Sequence, residues 1–103
     1  MKREKMKREK LKRPTANSCA AQCRQMGLAV GDTIIGRESD GDRWWCESKL
    51  TLIWLGRREC VFTEKLRSNE RPKWRSAGEV SDWTLDYRDW YKLLPVTEMA
   101  ALA

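Results

Sequence analysis

A chain of 103 residues is the size of one ordinary domain, able to bury about two-thirds of the surface its unfolded form exposes. It holds no run of about 18 apolar residues and begins Met1-Lys2-Arg3-Glu4 with no apolar stretch behind it, so neither a membrane span nor a secretory signal is expected. The formal net charge of +6 points to nucleic acid until it is located: residues 1–13 carry eight Lys/Arg against two Glu, which accounts for all of it, and residues 14–103 carry thirteen of each sign. A basic tail on a neutral body is a weaker sign of nucleic-acid reading than a basic face.

Residues 1–17 read as a basic low-complexity tail and linker. The pentapeptide MKREK occurs twice, and Leu11-Lys12-Arg13 begins a third copy that stops at Pro14. Met1, Met6 and Leu11 fall five apart, which scatters them around a helix and leaves no apolar stripe. Glu4 with Arg8 and Glu9 with Arg13 are spaced to pair on a helix, but an isolated segment this short is marginal in water. The expectation is a fraying helix or disorder.

Residues 18–94 read as a single small β-rich domain. Ser18 caps a helix over residues 19–26, which Gly27 stops. Val30-Gly31-Asp32 is a turn, and Thr33-Ile34-Ile35 is a β-branched strand ending at Gly36. Asp40-Gly41-Asp42 is a tight turn ahead of Trp44 and Trp45. The strongest strand signal spans residues 49–55, where Leu50, Leu52 and Trp54 alternate with Thr51, Ile53 and Leu55. Apolar residues on both faces predict a central strand covered on both sides. Gly56 to Glu59 is a hairpin loop, residues 60–66 are the returning strand, and residues 69–73 are an exposed loop. Farther on, Trp83, Leu85 and Tyr87 alternate as in a strand, while Trp83, Tyr87, Trp90 and Leu94 recur at helical spacing. A strand to about Asp86, followed by a helical turn from Tyr87 to Trp90, fits the β-propensity of Trp, Thr and Tyr better. Residues 95–103 are expected to be a flexible C-terminus. The fold class is mainly β: a small SH3-like or twisted barrel of about five strands, with a short N-terminal helix and a basic tail.

The chain has no histidine, which removes the commonest general base and the commonest zinc ligand together. No base stands beside Cys19, Cys23, Cys46 or Cys60 in sequence, so a noncatalytic protein is expected. Without a secretion signal, the four cysteines are expected as free thiols and disulfides are not. Four thiolates could hold a zinc ion, but Cys46 and Cys60 sit on two hairpin strands and form no second knuckle. Buried apolar thiols at Cys46 and Cys60, with an incidental helical pair at Cys19 and Cys23, are the simpler reading, and no metal or cofactor is expected.

Six tryptophans exceed what so small a core needs. Trp54 and Trp83 are expected in the core. Trp44 and Trp45 are adjacent on an extended segment and must point to opposite sides, so one faces solvent or lies under another element. With Trp74, Arg43, Arg75 and Arg88 they outline an aromatic and basic surface for holding a peptide or stacking a base, although plain packing is the simpler account of the tryptophans. A nucleic-acid alternative would add Lys2, Arg3, Lys7, Arg8, Lys12 and Arg13 of the tail as phosphate contacts. Asp82, Asp86 and Asp89 suit caps, turns and ion pairs better than a divalent-metal cluster.

Three blocks in order, Val30-Gly31-Asp32-Thr33-Ile34-Ile35-Gly36-Arg37-Glu38, Leu50-Thr51-Leu52-Ile53-Trp54-Leu55-Gly56 and Trp83-Thr84-Leu85-Asp86-Tyr87-Arg88-Asp89-Trp90, resemble a family of small uncharacterised proteins of tailed bacteriophages and enterobacterial prophages. The resemblance covers roughly residues 18–93 and departs at the repeated tail. It brings no assigned activity and no catalytic residues. What it implies is an accessory protein in the cytoplasm of an infected bacterium. The expected function is noncatalytic binding of a host or phage protein through exposed aromatics, with nucleic-acid binding as the alternative and no membrane partner.

Overall fold

The computed structural model describes residues 6–81 and 84–95. In chain order the elements are β1 (Met6–Lys10), α1 (Cys19–Gln25), β2 (Thr33–Asp40), β3 (Trp44–Leu55), β4 (Cys60–Ser68), β5 (Arg75–Ser81) and β6 (Trp90–Pro95). All six strands form one antiparallel sheet, ordered β1-β6-β2-β3-β4-β5. The fold is mainly β, as the composition of residues 33–66 implied. The sheet is open rather than a five-stranded barrel: β1 and β5 are edges that never meet.

Local chemistry explains most of the boundaries. Ser18 accepts a hydrogen bond from the Ala21 amide and caps α1, and Gly27 takes φ +76° just beyond the helix, a conformation that side chains resist. Gly41, at φ +66°, turns β2 into β3. Gly56 donates to the Glu59 carbonyl at 2.8 Å and closes the β3–β4 loop.

Alternation then sorts the sheet into two faces. One carries Ile34, Leu50, Leu52, Phe62 and Trp90, all at most 1% exposed, and α1 packs over it through Cys19, Cys23 and Met26, joined by Leu28 and Leu85. Gln22, itself buried, ties this layer together. Its amide donates to the Ala16 carbonyl at 2.9 Å and its oxygen accepts from the Leu85 amide at 2.7 Å. A buried amide satisfied on both sides fixes the chain segment before β6 to the helix.

Several expectations change. β3 is interior to the sheet, but only the face under α1 is covered, and a bulge between Leu52 and Trp54 breaks the alternation near its end. Ile53 and Trp54 are consequently exposed, at 40% and 49%, and the Trp54 ring lies where a side chain on Gly56 would go. Among the described residues the buried tryptophan is Trp90, set against Gly36, where an added Cβ would come within 2.9 Å of the ring. Trp83 lies outside the described residues. The order of the last segment is reversed: residues 84–85 are not in a strand, 86–88 form a turn, and the strand follows at β6. Its backbone pairs with both β1 and β2, a tertiary demand that outweighs the β-propensity of residues 84–87.

The tail also differs from expectation. Residues 6–10 form β1 on the free edge of β6, the Leu11 amide donates to the Trp90 carbonyl at 3.0 Å, and Leu11 packs against the core. Antiparallel pairing satisfies backbone groups that an isolated helix of this sequence would leave frayed.

Candidate binding face

The sheet face away from α1 holds the polar half of the alternation. Register places Arg37 opposite Glu47, Glu47 opposite Arg67, Ile35 opposite Lys49, and Lys49 opposite Lys65. On the β6 side, Ile35 pairs with Tyr91, Tyr91 with Lys10, and Leu93 with Arg8. Side chains directly opposite in neighbouring strands are in contact range, so these residues form one continuous surface.

At its centre cations and rings alternate. The Arg37 guanidinium lies 4.6 Å from the centre of the Trp45 ring, and Arg67 lies 5.9 Å from Trp45 and 4.4 Å from Trp74. Lys49 Nζ sits 4.2 Å from the Trp74 ring. All four distances fall within the range at which a ring quadrupole attracts a cation. Glu47, only 3% exposed, anchors the row by accepting from Arg67 at 2.6 Å and Arg37 at 3.4 Å. A buried carboxylate held by two charge-assisted hydrogen bonds is firmly placed, because leaving it without them would strand a desolvated charge.

Positive charge predominates across the face. Arg8, Lys10, Arg37, Lys49, Lys65 and Arg67 stand against Glu47, Glu79 and Asp89. Burial lowers the Lys49 pKa, and neighbouring Lys65, Arg67 and Arg8 lower it further, with Glu47 opposing. The face thus holds cations closer together than its own acids neutralise. Two grooves cross it. One, of about 360 Å³, includes Arg8, Ile35, Arg37, Glu47 and Tyr91. The other, of about 400 Å³, is lined by Thr33, Lys49, Thr51, Thr63, Lys65 and Leu93.

The structure brings together two of the six residues singled out in sequence for the body's surface, Trp45 and Trp74. Trp44 is 42% exposed and belongs to the opposite side of β3. Arg43 lies in the β2–β3 turn, where its carbonyl accepts from Asn69. Arg75 registers with Leu66, on the α1 side of the sheet. Arg88 is buried, pairs with Glu38 at 2.9 Å and lies over the Tyr87 and Trp90 rings. Of the tail cations, Arg8 lines a groove, Arg13 pairs with Asp89 and Lys12 is exposed. Lys2 and Arg3 are outside the described residues. Arg37, Glu47, Lys49, Lys65 and Arg67 were not anticipated: the loop pairs Leu55 with Cys60, and only the bulge between Leu52 and Trp54 shifts the register so that 47 meets 67 and 49 meets 65.

The acids behave as turn and ion-pair residues where they are described. Asp86 lies in the turn, and Asp89 pairs with Arg13 at 2.9 Å and Lys10 at 3.8 Å. Asp82 is outside the described residues.

The cysteines depart from the expectation of free thiols. Cys19 and Cys60 are joined in a disulfide, with Cα atoms 5.8 Å apart. The first turn of α1 rests on the loop before β4, where the Ala20 amide donates to the Arg58 carbonyl, and this contact brings the two together. Cys23 stays free and fully buried, and burial pushes its thiol up to about 11 with Arg24 opposing. Cys46 is half-buried and distant from these three, with its Sγ donating to Glu38 at 4.0 Å.

No helix among the described residues is long and apolar enough to cross a membrane. Comparison with protein-family models, curated proteins and solved structures finds no match.

Proposed function

We propose that the protein is a noncatalytic binding module that docks an acidic segment of a partner protein across the open face of its sheet. The row Arg37, Trp45, Arg67, Trp74 and Lys49 carries this reading. Cations held on ring faces keep their outward N–H groups free for carboxylates, and Glu47 fixes the two guanidiniums before any partner arrives. The resemblance to small phage-encoded proteins supports an accessory role, with a host or phage protein as partner. A nucleic-acid ligand fits the same charge less well. Base stacking needs open ring faces, and on both tryptophans the protein's own cations already stack.

The test is fluorescence anisotropy with two labelled probes, a Glu/Asp-rich peptide and a single-stranded oligonucleotide of equal charge. The expected result is saturable peptide binding, weakened on the order of tenfold by Arg67→Ala. Tighter binding of the oligonucleotide, lost when residues 1–13 are removed, would favour the nucleic-acid alternative instead.

A further inference from the structure

A disulfide needs two cysteines, and this core assembles three. Cys19 and Cys23 are four residues apart in α1 and so share one helix face, and Cys60 opens β4 directly beneath it. The three sulfurs lie within 4.8 Å of one another, and the residues are 4%, 0% and 0% exposed. Among the described residues, no other Cys, Asp or Glu joins this group, and the chain has no histidine. We infer that, once Cys19–Cys60 is reduced, these three cysteines form a trigonal thiolate site for monovalent copper.

Coordination number selects the ion. Structural zinc takes four ligands, and three-ligand zinc keeps an open position for water or substrate. Here the three cysteines belong to one buried apolar cluster with Met26, Leu28, Leu52, Phe62 and Leu85, and among the described residues no fourth Cys, Asp or Glu completes a zinc tetrahedron. Soft thiolates suit Cu(I), which is content with three of them. A metal–sulfur bond of about 2.3 Å puts trigonal thiolates roughly 4 Å apart, inside the 4.8 Å within which the three sulfurs already lie, so that reduction has only to let the Cys19 and Cys60 sulfurs separate. Three thiolates and one Cu(I) carry a net negative charge, which Arg24, its guanidinium held by the Gly56 and Arg57 carbonyls, offsets in part.

The chemistry balances with one external reactant. A dithiol supplies two electrons and two protons to Cys19–Cys60 and leaves as its own disulfide. Cu(I) then displaces the three thiol protons into solvent.

The experiment titrates the full chain, reduced and kept anaerobic, with Cu(I) against a chromophoric Cu(I) chelator, and in parallel with Zn(II) against a zinc indicator. Bound metal is counted by mass spectrometry. One Cu(I) per chain is expected, unchanged in Cys46→Ser. In Cys23→Ser, which preserves the Cys19–Cys60 pair, affinity should fall by more than the ~10–100-fold that losing a supporting residue costs. Far-UV circular dichroism accompanies each titration. If reduction unfolds the apo-chain, Cu(I) must restore the native spectrum in the parent and fail to do so in Cys23→Ser. Equal Cu(I) affinity in parent and Cys23→Ser, or stoichiometric zinc uptake with copper excluded, would overturn the assignment.

Discussion

The two faces of one sheet are built from alternate residues of the same strands, yet they rest on different physics. On the α1 side, Leu50, Leu52, Phe62 and Trp90 exclude water and hold the fold by burial. On the other side, Glu47, Lys49, Lys65 and Arg67 occupy the intervening positions and are held to each other and to two tryptophan rings by charge. Burial is non-directional and scales with area, so the first face sets stability. Charge–ring contacts at a wet surface contribute little to folding but orient groups for a partner. Mutations should therefore separate, apart from the buried Glu47 and the two arginines that hold it: those on the covered face change the melting point, and those at the exposed positions of the open face change binding.

The largest effect is expected at Phe62, fully buried in the middle of β4. Phe62→Ala should cost about 3–5 kcal/mol in chemical denaturation, from lost transfer energy plus the cavity left behind. Next comes Gly36. An added methyl would stand 2.9 Å from the Trp90 ring and 2.7 Å from Arg88 Cδ, with β6 behind them, so Gly36→Ala should lose about 1–3 kcal/mol through overpacking. A neutral result at Gly36 would mean that Trp90 shifts freely, and the covered face would be softer than its burial implies.

Lys65→Gln tests the other side of the comparison. Lys65 is exposed and one of the cations that depress the Lys49 pKa. Its removal should leave stability within about 0.5 kcal/mol of the parent while weakening acidic-peptide binding and its dependence on salt. A large stability loss with unchanged peptide affinity would contradict the division of labour between the faces.

Legibility in the sequence followed the same division. The covered face was readable where apolar residues alternate next to strong turn signals, as at Leu50 and Leu52 before Gly56, and Ser18 and Gly27 marked both ends of α1. Trp54 misled because a bulge is a matter of register, and nothing in Leu52-Ile53-Trp54 announces the extra residue. β1 was hidden for a related reason. Its charged repeat has no strand pattern of its own, and it becomes a strand only because β6 offers an unpaired edge. The open face was harder still, since its members lie on strands whose pairing had to be known first. Arg75 looked equivalent to Arg37 and Arg67 by composition, and only parity along its strand separates it, while Arg88 lies in the turn before β6 and is buried there. The Cys19–Cys60 contact needed the docking of α1 onto the loop before β4, which no local signal encodes.

The smallest effect tests whether the tail belongs to the folded unit. The hydrogen bond from Arg13 holds the Asp89 carboxyl below its usual range, and Lys10 adds to this. An acid whose pKa is lowered by folding stabilises the native state above its unfolded pKa, and that contribution disappears as pH falls through the lower, native value. Arg13→Ala should therefore raise the Asp89 titration midpoint toward the ordinary aspartate range, read by carboxyl NMR, and narrow the gap between parent and variant stability as the solution is acidified. The pair is solvent-exposed and screened, so added salt should shrink the same shift. An Asp89 midpoint that is already ordinary in the parent and indifferent to Arg13 would detach the tail from the sheet, and Arg8 and Lys10 would then drop out of the open face.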